Sequence, residues 1–237
     1  MVWLRWGKNA CCCARTPDTL VGMPIRPAAV AASLADFGIS LSRQQLEQIA
    51  SYVDLLTRWN RAINLTAILE PDEIISRHFA ESIYVTRFVD LQGLLLDVGS
   101  GAGFPGLAIR IARPELKVVL LEPVAKKRAF LKEVIRECKL DHVEVSGSRV
   151  EDYCGQAPGR FESVTMRAVG NLTVVLPAIA KCLAQSGRAY LWLAGDEEPR
   201  HASSDGLRGD EFEWSEPILV PQSRNRKIWI GRVTSRS

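Results

Sequence analysis

Leu94-Leu95-Leu96-Asp97-Val98-Gly99-Ser100-Gly101-Ala102-Gly103-Phe104-Pro105-Gly106 is an apolar run that ends in an acid and passes into a glycine-rich turn. Leu94 to Leu96 suit a strand buried on both faces. The alternating glycines let the chain turn sharply with its backbone close to a ligand, an approach that a Cβ would block. Pro105 marks the expected first position of a helix, where its missing N–H costs nothing. Strand, turn and helix form the opening unit of a doubly wound sheet, whose ligands bind beyond the carboxyl ends of the strands.

The choice of ligand turns on Asp97. Gly101, Gly103 and Gly106 also satisfy G-x-G-x-x-G, with Glu122 about twenty residues on, so a dinucleotide-binding oxidoreductase is formally allowed. A carboxylate at the mouth of the loop would repel a pyrophosphate and attract an ammonium group. S-adenosylmethionine carries that ammonium and no phosphate, and the chain has no Gly-Lys-Ser/Thr phosphate loop. The bland alternative is a tight turn that holds nothing. Val118 to Leu121 form the next apolar run, after which Glu122 would accept the ribose hydroxyls of an adenosine, or simply cap the helix starting near Ala125. A third strand over His142 to Val145 leads into Ser148-Arg149-Val150-Glu151-Asp152, where Glu151 would flank the adenine or serve as a first-turn helix acid.

Composition sets the frame for this site. The chain has 237 residues and a formal net charge of +3, enough for one sizeable core with a modest appendage and too mildly basic to identify a nucleic-acid partner. No apolar run approaches membrane-spanning length, so no membrane association is expected. Cys11, Cys12 and Cys13 are adjacent while Cys138, Cys154 and Cys182 are isolated; no spacing suits zinc, and no metal is expected. A reduced, cytoplasmic monomer is the resulting expectation. Residues 1–26 read as a disordered tail or a mis-assigned start, with Met23 as initiator.

Three helical stretches precede the loop and make residues 27–92 an N-terminal helical region. Ala28 to Phe37 ends at Gly38. Ser42 opens a second stretch, with Leu46, Ile49, Val53, Leu56 and Trp59 at three- and four-residue spacing, and Asp72 opens a third toward Val89. Residues 93–237 then alternate strand and helix, with later strands over Ser163 to Met166 and Arg188 to Leu193 and a helix over Leu172 to Leu183. They close with Ile218 to Val220 and Ile228 to Val233, too close together for a crossover helix. The expected fold is α/β: a Rossmann-like, mostly parallel sheet of the class I methyltransferase type with a C-terminal antiparallel hairpin.

A second set of residues precedes the loop: Trp59-Asn60-Arg61-Ala62-Ile63-Asn64-Leu65-Thr66, then Arg77-His78 and Glu81-Ser82. Singly these are ordinary; Trp59 suits a core, and His78 on a helix suits a hydrogen-bonded structural residue. Together with the glycine turn, Arg113-Pro114, Leu121-Glu122 with Lys126-Lys127, Ser148-Arg149-Val150-Glu151 and Arg167-Ala168, they resemble the RsmG (GidB) family over about Leu46 to Leu193. The resemblance implies a S-adenosylmethionine-dependent enzyme that methylates N7 of a guanine in 16S ribosomal RNA, guanine 527, either on the RNA or on a small-subunit assembly particle. It further implies that Gly99 and Phe104 line the cofactor pocket, that Val150 and Glu151 contact adenine, and that Arg167 stands beside the cofactor as the catalytic, positioning residue. Glu122 and Glu81 replace aspartates common in the family, which changes reach and preserves charge.

The mechanism implied is an in-line displacement at the methyl carbon. Guanine N7 presents a lone pair and needs no general base, which agrees with Arg167-Ala168-Val169-Gly170-Asn171 standing where amine methyltransferases commonly carry Asn/Asp-Pro-Pro-aromatic. Catalysis then rests on alignment, a contribution of about 7 to 11 kcal/mol in well-oriented systems. For Arg167 the competing reading is a structural salt bridge. Lys126, Lys127, Arg128, Lys132 and Arg136 on one helix, and Arg224, Arg226 and Lys227 at the hairpin, are candidate phosphate contacts or simply solvated charge. A catalytically silent RNA-binding domain is the remaining alternative.

Overall fold

A computed structural model describes residues 24–167, 170, 172–199, 211–223 and 225–234. Cys11 to Cys13, Met23, Ala168 and Arg224 lie outside them. Helix α1 (Pro27–Ala35) is followed by Gly38 at φ +65°, and α2 (Arg43–Asn60) opens on a capping box in which Ser42 and Gln45 bond reciprocally. The Gln45 amide also donates to the carbonyl of Ile111, 2.7 Å away, so the cap anchors α2 to the later helix over Gly106–Ala112. The third stretch is wound differently from the single α-helix expected over Asp72 to Val89. It runs from α3 (Pro71–Ile74) through a π-helical turn (Ile75–Ala80) and α4 (Glu81–Ile83) into a 3-10 turn (Tyr84–Arg87).

The sheet follows as β1 (Leu94–Val98), α5 (Gly106–Ala112), β2 (Lys117–Leu121), α6 (Ala125–Glu137), β3 (Val143–Ser146), α7 (Val150–Gln156), β4 (Phe161–Arg167), α8 (Leu172–Cys182), β5 (Leu183–Ala194), β6 (Phe212–Trp214), β7 (Ile218–Leu219) and β8 (Arg226–Val233). Strand order is β3-β2-β1-β4-β5-β8-β6, with β7 also on β8; β1 to β5 are parallel and β8 runs antiparallel to β5. Parallel strands with an antiparallel closing hairpin match the expected outline. β6 was not legible as a strand, because three residues are too few to show a period. Helix α5 begins at Gly106 with Pro105 as its N-cap, one residue later than expected, because the turn first closes on itself: Gly103 and Phe104 both donate to the carbonyl of Ser100.

Alternation along the strands divides the core. Leu96, Val98, Val164, Met166 and Leu191 pack under α7 and α8, whereas Leu95, Tyr190 and Trp192 face α1, α2, α5 and α6. The N-terminal helices therefore share one continuous core with α5, α6 and the sheet. No helix among the described residues is long and apolar enough to cross a membrane.

Candidate cofactor site

β1 sits between β2 and β4, so the chain leaves it first toward one edge of the sheet and later toward the other. Such a switch point opens a crevice at the carboxyl ends of the strands. The glycine turn lies there, with Gly99, Gly101 and Gly103 at φ +68°, +57° and +90°. At Gly103 conformation and space both exclude a side chain: a Cβ would meet the Tyr52 hydroxyl and lie 2.8 Å from Leu107 Cδ1. That hydroxyl donates a hydrogen bond to the carbonyl of Ala102, inside the turn. Glu122, buried just after β2, clamps the opposite side: Oε2 accepts from the Gly101 amide and Oε1 from the Val124 amide, both at 2.8 Å.

A cavity of about 340 Å³ opens beside the turn, walled by Gly99, Leu121, Ser148, Val150, Glu151 and Val175 among others. Its lining is mostly apolar, which suits a flat heteroaromatic ring. Gly99, Val150 and Glu151 thus meet at one cavity. Gly101 and Glu122, joined to each other, are not among its walls, although Glu122 lies between the lining residues Leu121 and Pro123; Asp97, Gly103, Phe104 and Arg167 do not line it either.

Asp97 differs from the open anionic entrance expected of it. It is fully buried, because at the penultimate position of β1 it points toward the helices and is covered by Gly106, whose absent Cβ would fall 2.7 Å from Asp97 Cβ. Oδ1 accepts from the Thr165 hydroxyl at 2.8 Å, and Oδ2 has no hydrogen-bond partner among the described residues. Burial raises its carboxyl to about 6, against the opposing pull of Thr165, Ser100 and the Gly106 amide. Phe104 likewise does not border the cavity. It packs between His78 (centroids 4.8 Å apart) and Tyr52 (5.5 Å), with Phe79 edge-on, and so ties the turn to the N-terminal helices.

Arg167, the last residue of β4, is committed to protein partners: Glu81 Oε2 at 3.2 Å, the Arg77 carbonyl at 2.8 Å and the Ser82 hydroxyl at 3.4 Å. The salt-bridge reading describes this geometry. Desolvation lowers its guanidinium to about 10, partly countered by Glu81. His78 stands next to this network with Nε2 2.7 Å from the Thr66 hydroxyl; burial and then Arg167, Arg77 and Arg226 depress it to about 3, so the imidazole is neutral. The Thr66 hydroxyl also accepts from the Ile68 amide at 3.0 Å, which ties His78 to the segment before α3.

Two of the basic candidates are turned inward. Arg226 places Nε 3.2 Å from Glu81 Oε2, and Arg128 donates to the carbonyls of Glu122 and Pro123 at the start of α6. A carboxylate and bare carbonyls nearby outcompete water for a guanidinium's several donors. Arg136 pairs with Glu133, Lys126 and Lys132 are exposed, and Arg224 lies outside the described residues. Sequence reading missed Tyr52, Thr165 and Trp192, whose Nε1 donates to the Glu81 carbonyl at 2.8 Å. Tyr52 sits at helical spacing between Ile49 and Leu56, where nothing separates a loop clamp from an ordinary core aromatic.

The chain matches the sequence model of the GidB family, rRNA small subunit methyltransferase G, over residues 45–204. It is 36% identical to the "Ribosomal RNA small subunit methyltransferase G" of Erwinia tasmaniensis over 195 residues, covering 81% of this chain and 92% of that one. To the protein of the same name from Ectopseudomonas mendocina it is 45% identical over 138 residues, 58% of this chain and 64% of that one. Among solved structures, a SAM-dependent O-methyltransferase from Thermotoga maritima superposes with TM-score 0.54 at 15% identity, covering 79% of this chain and 73% of that one. A ribosomal protein L11 methylase from Lactobacillus delbrueckii subsp. bulgaricus gives TM-score 0.54 at 11% identity, with 68% and 80% covered. These likenesses establish the fold, that of the class I SAM-dependent methyltransferases. By its sequence match and its full-length relative, this chain belongs to the GidB family, rRNA small subunit methyltransferase G.

Proposed function

We propose that the chain transfers a methyl group from S-adenosylmethionine to N7 of guanine 527 in 16S ribosomal RNA, as a cytoplasmic monomer acting on the RNA or on a small-subunit particle. The observation that carries the choice of cofactor is the unpartnered Oδ2 of Asp97, a buried anion immediately beneath the glycine turn. A buried carboxylate with a free oxygen gains from a nearby cation and repels a pyrophosphate, which disfavours the dinucleotide reading. The apolar cavity beside the glycine turn suits adenine.

S-adenosylmethionine, when bound, supplies an electrophilic methyl carbon on a sulfonium. Val150 and Glu151 would hold its adenine, and Glu122 its ribose through the lone pairs that Gly101 and Val124 leave free. Asp97 would compensate the ammonium through its unpartnered oxygen, with Gly99, Gly101 and Gly103 allowing close backbone approach. Phe104 fixes the far side of the turn. Arg167 acts as a positioning residue, locking the end of β4 to the π-helical turn. Guanine N7 is unprotonated at neutral pH, so the residues have only to align it.

Mass spectrometry of unmodified small-subunit rRNA incubated with protein and S-adenosylmethionine tests this reading. Wild type is expected to generate N7-methylguanosine, and Asp97→Ala to lose cofactor binding together with product. Calorimetric binding of NADH but not S-adenosylmethionine would overturn the cofactor; cofactor binding without any product would leave a silent RNA-binding domain.

A further inference from the structure

Three arginines from distant parts of the chain meet around one glutamate. Arg167 ends β4. Arg226 begins β8 opposite Ala194, the last residue of β5, and Arg77 lies on the π-helical turn one turn before Glu81. A single oxygen, Glu81 Oε2, contacts both Arg167 Nη2 and Arg226 Nε at 3.2 Å. Arg77 joins them through its carbonyl, which accepts from Arg167 Nη2 at 2.8 Å, and among the described residues its guanidinium shows no hydrogen-bond or ion-pair partner. The cluster therefore carries two positive charges more than its carboxylate neutralises. The side chains of Arg167 and Arg226 are only 9% and 19% exposed. Like charges crowded at low exposure are costly unless a further anion completes the set.

The backbone points the same way. A π-helical turn is rare and recurs at functional sites, since its wider winding spends helical regularity to place side chains. Here it runs from Ile75 to Ala80, and the Glu81 amide reaches the Ser76 carbonyl. Glu81 and the Arg77 carbonyl both meet Arg167 at the carboxyl end of β4, the end of the sheet where ligands of this fold bind.

Position separates this cluster from the cofactor cavity. Arg167 alternates with Met166, which packs under α7 and α8 beside the cavity walls, so Arg167 projects from the opposite face. β8 stands three strands from β1 in the sheet, about 14 Å at roughly 4.8 Å per strand. Arg226 thus enters the cluster from the side of β4 away from β1 and the glycine turn. We infer that Arg77 and Arg226, held in place by Glu81 and Arg167, form an oxyanion site for a phosphodiester of the RNA strand flanking the target nucleotide. Arginine's planar fork suits two oxygens of one phosphate; Glu81 holds the Arg226 guanidinium, and Arg167 holds the Arg77 backbone, before RNA arrives. This inference rests on the proposed RNA methyltransferase reading.

The test uses the full-length protein, saturated with S-adenosylmethionine, and a 16S rRNA fragment containing guanine 527 as probe. RNA dissociation constants are measured from low to high salt for wild type, Arg77→Gln, Arg226→Gln and Arg226→Lys, with calorimetric cofactor affinity as the check on folding. Each Gln variant should weaken RNA binding about tenfold and shallow the log-log salt slope by about 0.7, the value for one single-strand phosphate contact. Arg226→Lys should keep most of the slope, and cofactor affinity should stay within about twofold throughout. An unchanged slope with intact cofactor binding overturns the site and leaves an internal ion cluster. A lost cofactor affinity with unchanged slope overturns it in favour of the cofactor carboxylate. If Arg226→Gln no longer folds, Arg77→Gln, at a guanidinium without an ion-pair partner among the described residues, decides: an unchanged slope overturns the site. Wild-type protein that forms N7-methylguanosine while its variants keep the wild-type slope refutes this site alone, and wild type that binds no RNA refutes the RNA reading with it.

Discussion

The hydroxyl of Tyr52, in the middle of α2, donates a hydrogen bond to the carbonyl of Ala102, in the middle of the glycine turn, while its ring stacks on Phe104 at 11° between planes. A residue 50 positions away in sequence thereby fixes the loop proposed to hold the cofactor. Removing the hydroxyl leaves a buried carbonyl without its donor, so Tyr52→Phe should lower stability by about 1 to 3 kcal/mol in urea denaturation. If about 1 kcal/mol of that cost is loop order, cofactor affinity falls about fivefold. Unchanged affinity in a destabilised variant would show the contact to be purely structural.

Two glycines of the turn should respond differently to alanine. At Gly101 a Cβ would have nothing nearer than 3.8 Å, so Gly101→Ala carries mainly the cost of positive φ, about 1 to 2 kcal/mol. At Gly103 the same φ penalty is joined by overlap with Tyr52 and Leu107, which adds about 1 to 3 kcal/mol. Thermal denaturation of the two variants checks the order; equal losses would contradict the packing described.

Asp97 and His78 should drive opposite pH dependences. The Asp97 carboxyl is raised from 3.8 to about 6, so the folded state binds its proton more tightly and stability falls as pH rises across that window. His78 is lowered from 6.5 to about 3, so the unfolded state takes the proton and stability rises with pH between those values. Each contributes at most about 1.4 kcal/mol per pH unit. Relative to wild type, Asp97→Asn should therefore gain stability more steeply from pH 4 to 6, and His78→Asn less steeply. Cofactor affinity, which depends on ionised Asp97, should decline below pH 6 in wild type and be flat over that range in Asp97→Asn.

Glu122 spends both carboxylate oxygens on backbone amides. An amide in its place would set one N–H donor against another, so Glu122→Gln should cost about 1 to 3 kcal/mol in stability and weaken cofactor binding measurably by calorimetry. Glu122→Asp, shorter by a methylene, should lose one of the two amides and fall between wild type and Gln.

Some of this was legible before any coordinates. The glycine turn, Glu122 after β2 and Val150-Glu151 at the start of α7 follow local rules of apolar period, turn residue and helix start, and each falls within a residue or two of its expected place. Pro105 moved by one position because the turn's internal hydrogen bonds took precedence over helix initiation. Arg226, grouped by sequence with the exposed charges of a hairpin, instead faces Glu81, since its partner lies 145 positions earlier and leaves no trace in local pattern. The burial of Asp97 was equally hidden, because whether a carboxylate stands at an open mouth or under a helix depends on which face of β1 the helices cover.

Sequence alone determined the succession of strands β1 to β5 and their helices, the class of fold and the loop at its centre, because hydrophobic period, glycine freedom and helix capping act between residues near one another along the chain. Only the tertiary structure decided which polar groups face each other: Asp97 against Thr165, Glu81 against Arg167 and Arg226, Tyr52 against the turn. Electrostatic and hydrogen-bond energies depend on through-space distance and on burial, and both come into existence only when distant segments pack.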